Sequence, residues 1–242
     1  MLEQPEITLA PGAYESDRDI AEQFRVALAT SPLPTTWQLL RQSGKIVLRA
    51  PDSEGGYELA AGFTEGAIAR RLRTARRTDP LPRAIGMHRR QINHVIDATA
   101  GLGRDAMVLA QLGCAVTAIE RVPALCFLLQ VAAKECDAAI EVLCAEAEPW
   151  LRQQSVAADR PEVVYLDPMF AATGKAQVKK EMQACRALAG APTDAHDLLT
   201  AAREVAQDRV VVKRHPRHEP LANDVSFEVK SDRVRFDVYL SA

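Results

Sequence analysis

Residues 94–120 read HVIDATAGLGRDAMVLAQLGCAVTAIE, and this stretch decides the fold. The apolar run His94 to Ala98 predicts a buried strand, Arg104 to Leu112 a helix, and Ala115 to Glu120 a second strand. Together they form one strand-helix-strand unit of a mostly parallel sheet. Gly101 and Gly103 fall where the first strand turns into the helix. Glycine lets the backbone pass close beneath a ligand there, and the helix amino terminus offers free N–H groups. Glu120 ends the second strand, where a carboxylate is placed to accept hydrogen bonds from both hydroxyls of a ribose. The combination points to an adenosine-type cofactor. Asp97 at the strand end is placed to meet a cationic amino acid group, and Arg104-Asp105 sets a further carboxylate beside the ligand. These acids suit the sulfonium of S-adenosylmethionine better than a pyrophosphate. Gly101 to Ala106 also fits the G-x-G-x-x-[GA] turn of dinucleotide enzymes, so a nicotinamide-dependent oxidoreductase stands as an alternative.

Working outward, the alternation continues. Ile140 to Cys144, Val163 to Leu166 and Arg209 to Lys213 are expected strands, and Pro123 to Lys134, Gln177 to Leu188 and Asp194 to Gln207 expected helices. Ser226 to Lys230 and Arg235 to Leu240, around Ser231-Asp232-Arg233, predict an antiparallel hairpin at the sheet edge. The fold class is therefore α/β, a Rossmann-like sheet with a carboxyl-terminal hairpin over residues 91–242. Residues 1–90 read as a smaller α+β domain. Ser16 and Asp17 are expected to cap a helix carrying Ile20, Phe24 and Leu28 on one face, and Trp37 to Leu40 and Lys45 to Arg49 flank Ser43-Gly44 as a hairpin.

The fourth strand of the main unit runs into Asp167-Pro168-Met169-Phe170. Ligands in open α/β sheets sit beyond the carboxyl ends of the strands, so this tetrapeptide shares a rim with Gly101 and Glu120. An amino group conjugated to a nucleic-acid base is a poor nucleophile because its lone pair is delocalised. The Asp167 carboxylate and the Pro168 carbonyl are suited to accept its two N–H bonds, turning the lone pair toward a methyl donor, while Phe170 stacks on a base swung out of its helix or taken from a single strand. The chemistry needs no metal. His215 and His218 lie three apart but have no accompanying ligands at metal spacing.

Charge narrows the substrate class. The net charge is only -2, so any pull toward nucleic acid is local. Residues 69–90 supply it, with eight arginines, among them Arg70, Arg71, Arg76 and Arg77, against the single acid Asp79. Lys213-Arg214 and Lys179 add expected phosphate contacts. The amino terminus lacks the parts of a secretory signal and no stretch is long and apolar enough to span a bilayer, so no membrane partner is expected. The five cysteines form no C-x-x-C pair and read as reduced core residues, consistent with a cytoplasmic enzyme.

These motifs resemble the ribosomal RNA small subunit methyltransferase J family, which methylates the 2-amino group of a guanine in 16S ribosomal RNA. The resemblance rests on DATAGLGRDA at Asp97 to Ala106, VVYLDPMF at Val163 to Phe170, VKKEM at Val178 to Met182, RVVVKR at Arg209 to Arg214 and RFDVY at Arg235 to Tyr239. It implies a class I methyltransferase fold, with S-adenosylmethionine held by residues matching Arg104, Asp105, Glu120, Arg121 and Asp167. It also implies 16S rRNA or the small ribosomal subunit as partner. Where the family shows a pair of small polar residues after the third strand, this sequence has Glu146-Ala147, and the glycine triplet usual after the paired arginines is replaced by Leu72-Arg73-Thr74-Ala75-Arg76. A noncatalytic RNA-binding adaptor on the same scaffold is the remaining alternative.

Overall fold

The structure is a computed structural model that describes residues 6–31, 35–154, 160–168, 188 and 194–241. The amino-terminal unit contains β1 (Ile7–Leu9), α1 (Glu15–Gln23), β2 (Ala27–Leu28), β3 (Trp37–Gln42), β4 (Lys45–Arg49) and β5 (Glu58–Leu59), a sheet of order β2-β1-β3-β4-β5. Helices α2 (Gly66–Thr74) and α3 (Pro80–Ile85) lead to the main sheet. That sheet comprises β6 (His94–Asp97), β7 (Ala115–Glu120), β8 (Ile140–Cys144), β9 (Val163–Leu166), β10 (Arg209–Arg214), β11 (Phe227–Lys230) and β12 (Arg235–Leu240). Helices α4 (Arg104–Gln111), α5 (Pro123–Glu135), α6 (Ala147–Gln154) and α7 (Ala195–Val205) connect its strands. The expected helix over 177–188 lies outside the described residues, except for the buried Leu188.

The main sheet has the order β11-β12-β10-β9-β6-β7-β8. β10, β9, β6, β7 and β8 run parallel, and β12 pairs antiparallel with β10 and β11. From β6 the chain winds outward through β7 and β8, then returns to build β9 and β10 on the other side. The order thus reverses between β6 and β9, and the carboxyl ends of these two strands form the crevice at the switch point.

Strand residues alternate between two apolar layers, as the period of two requires. Val95, Val163, Tyr165 and Val211 join one core, which continues without a break into Leu39, Leu48 and Trp37 of the amino-terminal sheet. Ile96, Val164, Leu166, Val210 and Val212 face the other, closed by Leu151 of α6 and Leu198, Leu199 and Val205 of α7. α5 is buried almost all round, because it lies between the main sheet and the amino-terminal unit, packing on β7 and β8 as well as on β4 and α1. Each fully buried Leu or Phe there contributes about 1.5–3 kcal/mol.

Several expectations are corrected. α1 starts after Tyr14, and Asp17 sits one turn in, its carboxylate reaching back to the Tyr14 N–H at 2.9 Å and out to Arg41. Leu28 does not extend the apolar face of α1: the helix ends at Gln23, Arg25 turns with φ 56°, and Leu28 lies exposed in β2. Cys114 and Cys126 are buried, but Cys144 is exposed at the end of β8, and Cys185 lies outside the described residues. The basic run is not gathered at one place. Arg71 on α2 meets the start of α4, whereas Arg77 reaches the Leu112 carbonyl at its far end, and Arg90 pairs with Glu162 and Asp208 ahead of β9 and β10. The run therefore descends from one rim of the sheet to the other.

Candidate active site

The glycine turn is built tightly against the core. Gly103 has φ 69°, and a Cβ there would stand 2.2 Å from Cδ1 of Leu129 on α5, which is fully buried. Gly101, with φ 54°, is different: a Cβ added to it would meet nothing within 4 Å. One glycine lets the loop lie down on the core, and the other leaves open space on its outer side. Glu120 fixes the loop from the neighbouring strand. Its Oε2 accepts the Gly101 N–H and its Oε1 the Val122 N–H, both at 2.9 Å. Burial raises the Glu120 pKa, with these amides opposing the shift.

The loop and the end of β9 are bonded directly. The Ala98 N–H donates to the Tyr165 carbonyl at 3.0 Å, and the Asp167 N–H donates to Thr99 Oγ1 at 2.6 Å. Thr99 N–H in turn donates to Asp97 Oδ1 at 3.1 Å. Thr99 thereby ties Asp97 of β6 to the Asp-Pro turn after β9, a role that no sequence pattern announces. Asp97 is 2 % exposed, and burial lifts its pKa to about 8, with the Asp105 and Asp167 carboxylates adding to the rise.

A second layer of charge lies beneath. Asp105, at the start of α4, accepts from Arg71 at 2.7 Å through Oδ1, and from Tyr165 Oη at 2.7 Å and Lys213 Nζ at 2.9 Å through Oδ2. Burial alone would raise its pKa, but Lys213 and Arg71 outweigh burial and bring it down to about 2. Lys213 Nζ also reaches Asp167 Oδ2 at 2.7 Å. The Asp167 side chain stays 41 % exposed, open to a ligand, while lying deep enough in the cleft that burial still raises its pKa against the pull of Lys213.

Other expected site residues take varied places. Arg104 is exposed on the first turn of α4, and Arg121 approaches Glu146 at 3.7 Å, which brings the ends of β7 and β8 together just before Ala147 opens α6. Pro168 is half-buried next to Asp167. Phe170 and Lys179 lie outside the described residues. Arg70 and Arg76 are exposed, and Arg77 donates to Gln91 at 2.6 Å. Two expected phosphate contacts are employed within the protein. Lys213 bridges two carboxylates, and Arg214, only 8 % exposed, donates to the Glu219 carbonyl. Arg235 holds the same connection through the carbonyls of Pro216 and His218 while paired with buried Asp237. The loop after β10 is thus pinned by arginines from below.

The family described as "Putative SAM-dependent methyltransferase" matches residues 20–241. A ribosomal RNA small subunit methyltransferase J of Thioalkalivibrio sulfidiphilus is 42% identical over 208 residues, covering 81% of this chain and 80% of its own. The protein of that name from Nitrosococcus oceani is 40% identical over 240 residues, covering 93% of each chain. The chain belongs to the ribosomal RNA small subunit methyltransferase J family. A crystal structure of a SAM-dependent methyltransferase from Neisseria gonorrhoeae superposes with a TM-score of 0.75 at 30% identity, covering 97% of this chain and 95% of that one. The fold is also shared, at 18% identity and a TM-score of 0.52, with a 16S rRNA N2 G1207 methyltransferase from Thermus thermophilus, in complex with AdoMet and guanosine, of which 53% is covered.

The cofactor of the methyltransferase J family is S-adenosylmethionine, and the residues present fit it. The space outside Gly101 is open, and Asp97, Glu120 and Asp167 stand at the carboxyl ends of the strands β6, β7 and β9, with pKa values that burial raises. Such a set of carboxyl groups is stabilised by a cationic ligand and repels a pyrophosphate.

Proposed function

We propose that this chain methylates the exocyclic 2-amino group of a guanine in 16S ribosomal RNA, with Asp167 and the Pro168 carbonyl receiving the amine. The observation that carries this reading is the 2.6 Å bond from the Asp167 N–H to Thr99 Oγ1, which sets the Asp-Pro turn against the glycine loop. S-adenosylmethionine supplies an electrophilic methyl group on its sulfonium. Glu120 holds the ribose hydroxyls, Asp97 the amino acid end, and Arg104, Asp105, Arg121, Glu146 and Ala147 border the cofactor. Asp167 accepts one N–H of the amine and Pro168 the other, which draws the lone pair out of conjugation and along the line of transfer. The carboxylate also stabilises positive charge growing on the nitrogen. Phe170, assigned on sequence grounds, stacks on the base. Exposed Arg70 and Arg73 on α2, beside Arg71 and its contact with the catalytic rim, offer phosphate contacts.

The test is transfer of labelled methyl groups from S-adenosylmethionine to small-subunit rRNA or subunits from a strain deleted for this gene. Asp167→Ala is expected to lower the single-turnover rate by at least about 100-fold with circular dichroism unchanged. Transfer at the wild-type rate would overturn the assignment. Calorimetry should show binding of S-adenosylhomocysteine and none of NAD.

A further inference from the structure

Lys213 was expected to grip a phosphate, yet its ammonium is placed between two carboxylates. It lies 2.9 Å from Asp105 Oδ2 and 2.7 Å from Asp167 Oδ2. Asp105 is itself fixed from two further directions, by Tyr165 Oη of β9 and by Arg71 of α2. A lysine side chain alone is flexible, and a carboxylate on a turn beyond a strand end has free χ rotation. Here the ammonium has two anchors, and one of them, Asp105, is immobilised by packed elements on either side. The Asp167 carboxylate is therefore held through one oxygen, Oδ2.

We infer that Lys213 is a positioning residue for methyl transfer: anchored by Asp105, and through it by Arg71, it fixes the Asp167 carboxylate in the orientation that receives the target amine. This rests on the assignment of Asp167 as amine acceptor. Lys213 has a second consequence, for charge. The groups facing Asp167 are Asp97 of β6, Asp105 of α4, Tyr165 of β9 and Lys213 of β10, with Arg71 of α2 behind Asp105. Asp105 opposes ionisation of Asp167, and Lys213 is the cation bonded to it. Without that ammonium, Asp167 would take up its proton at higher pH, and a protonated carboxyl has lost the negative charge that stabilises the amine. The link to Arg71 also ties the catalytic carboxylate to the arginine-bearing helix α2, through side chains 34, 108 and 46 residues apart in sequence.

A phosphate contact and a positioning role differ in what they change. Removing a phosphate contact raises KM for RNA and flattens its salt dependence. Removing a positioning group lowers kcat and moves the pH profile. The experiment measures kcat, KM and the pH–rate profile of Lys213→Met, Lys213→Arg and Asp167→Ala on deletion-strain subunits, with S-adenosylhomocysteine affinity as a check on the cofactor site. The expected result is a kcat for Lys213→Met lowered on the order of 10- to 100-fold, with the acid limb of its profile moved to higher pH. Lys213→Arg should recover part of the rate and return the limb toward its original position. If Lys213→Met does not fold, Lys213→Gln, which removes the charge but keeps a hydrogen-bond donor between the two carboxylates, is read the same way on the pH limb. An unchanged kcat and profile with only KM raised would overturn the positioning role. If instead Asp167→Ala retained full activity, the underlying assignment would fail whatever Lys213→Met did.

Discussion

The two rims of the main sheet carry similar charged residues and put them to opposite uses. At the rim before β9 and β10, Glu162 accepts the N–H groups of Asn93 and His94 and pairs with Arg90, while Asp208 pairs with Arg90 and Arg209. Burial works against both carboxylates, but these donors outweigh it and lower both pKa values. At the rim beyond the strands, Asp97, Glu120 and Asp167 are held with pKa values raised by burial. The first rim is complete in itself. The second pairs Asp105 fully, with Arg71 and Lys213, but leaves Asp97 and Glu120 without an ion pair among the described residues and gives Asp167 only its share of Lys213, an arrangement that favours a cationic ligand.

The contrast can be broken at several places. The largest effect is expected at Gly103, where Gly103→Ala combines a left-handed backbone with a methyl group driven into Leu129. It should cost about 2–4 kcal/mol in urea denaturation and weaken S-adenosylhomocysteine binding, whereas the same stability loss made at the other rim should leave cofactor affinity intact.

Asp97→Asn sharpens the comparison through pH. The folded-state pKa of Asp97 is raised to about 8 against roughly 3.9 for an unfolded Asp. The folded protein therefore binds more protons across that window, so the wild type loses stability as pH rises from about 4 toward 8. The variant should be less steep over that range and bind S-adenosylhomocysteine more weakly. A variant with wild-type slope and affinity would contradict the assignment of Asp97 to the cationic end of the cofactor.

Glu162→Gln probes the opposite sign. Because the folded pKa of Glu162 is lowered, its contribution is present above about 4.3, the unfolded value, and is lost as pH falls through the folded value. The substitution should cost about 1–3 kcal/mol at neutral pH, less in acid, and leave methyl transfer unchanged. The smallest effects belong to the basic run. Arg70→Ala should raise KM for RNA a few-fold and lessen the salt slope by about 1. Arg77→Ala, at the lower end of α4, should do less to KM and cost under about 1 kcal/mol of stability. Equal KM effects would mean that RNA spans both rims.

The centre of the main sheet was legible because its strands are buried on both faces, as the apolar run Val163 to Leu166 shows. Ala115 to Glu120 and the edge strand Ile140 to Cys144, in which only Ile140 and Val142 are buried, also have the bounds the structure shows. α6 was not read, since Pro149 in its first turn resembles a loop signal although proline is tolerated there. α2 passed as a charge run because Ala69 is its sole buried residue, too little for an apolar stripe. The glycine turn, Glu120 and Asp167 could be placed on one rim from strand order alone. Thr99, Tyr165 and the bridging position of Lys213 could not, because their partners lie 46 to 108 residues away and meet only through the fold. Arg214 misled for a related reason: a basic residue ending a strand looks exposed until the following loop is seen to close over it.

The central claim is that the glycine loop and Asp167 face one cleft shared by cofactor and base. A crystal structure with S-adenosylhomocysteine and guanosine tests it most directly. The account predicts the ribose hydroxyls on Glu120, the sulfur outside Gly101 and the guanosine 2-amino group on Asp167 Oδ1 and the Pro168 carbonyl. A ribose away from Glu120, or a guanine whose amino group is turned from Asp167, would contradict it.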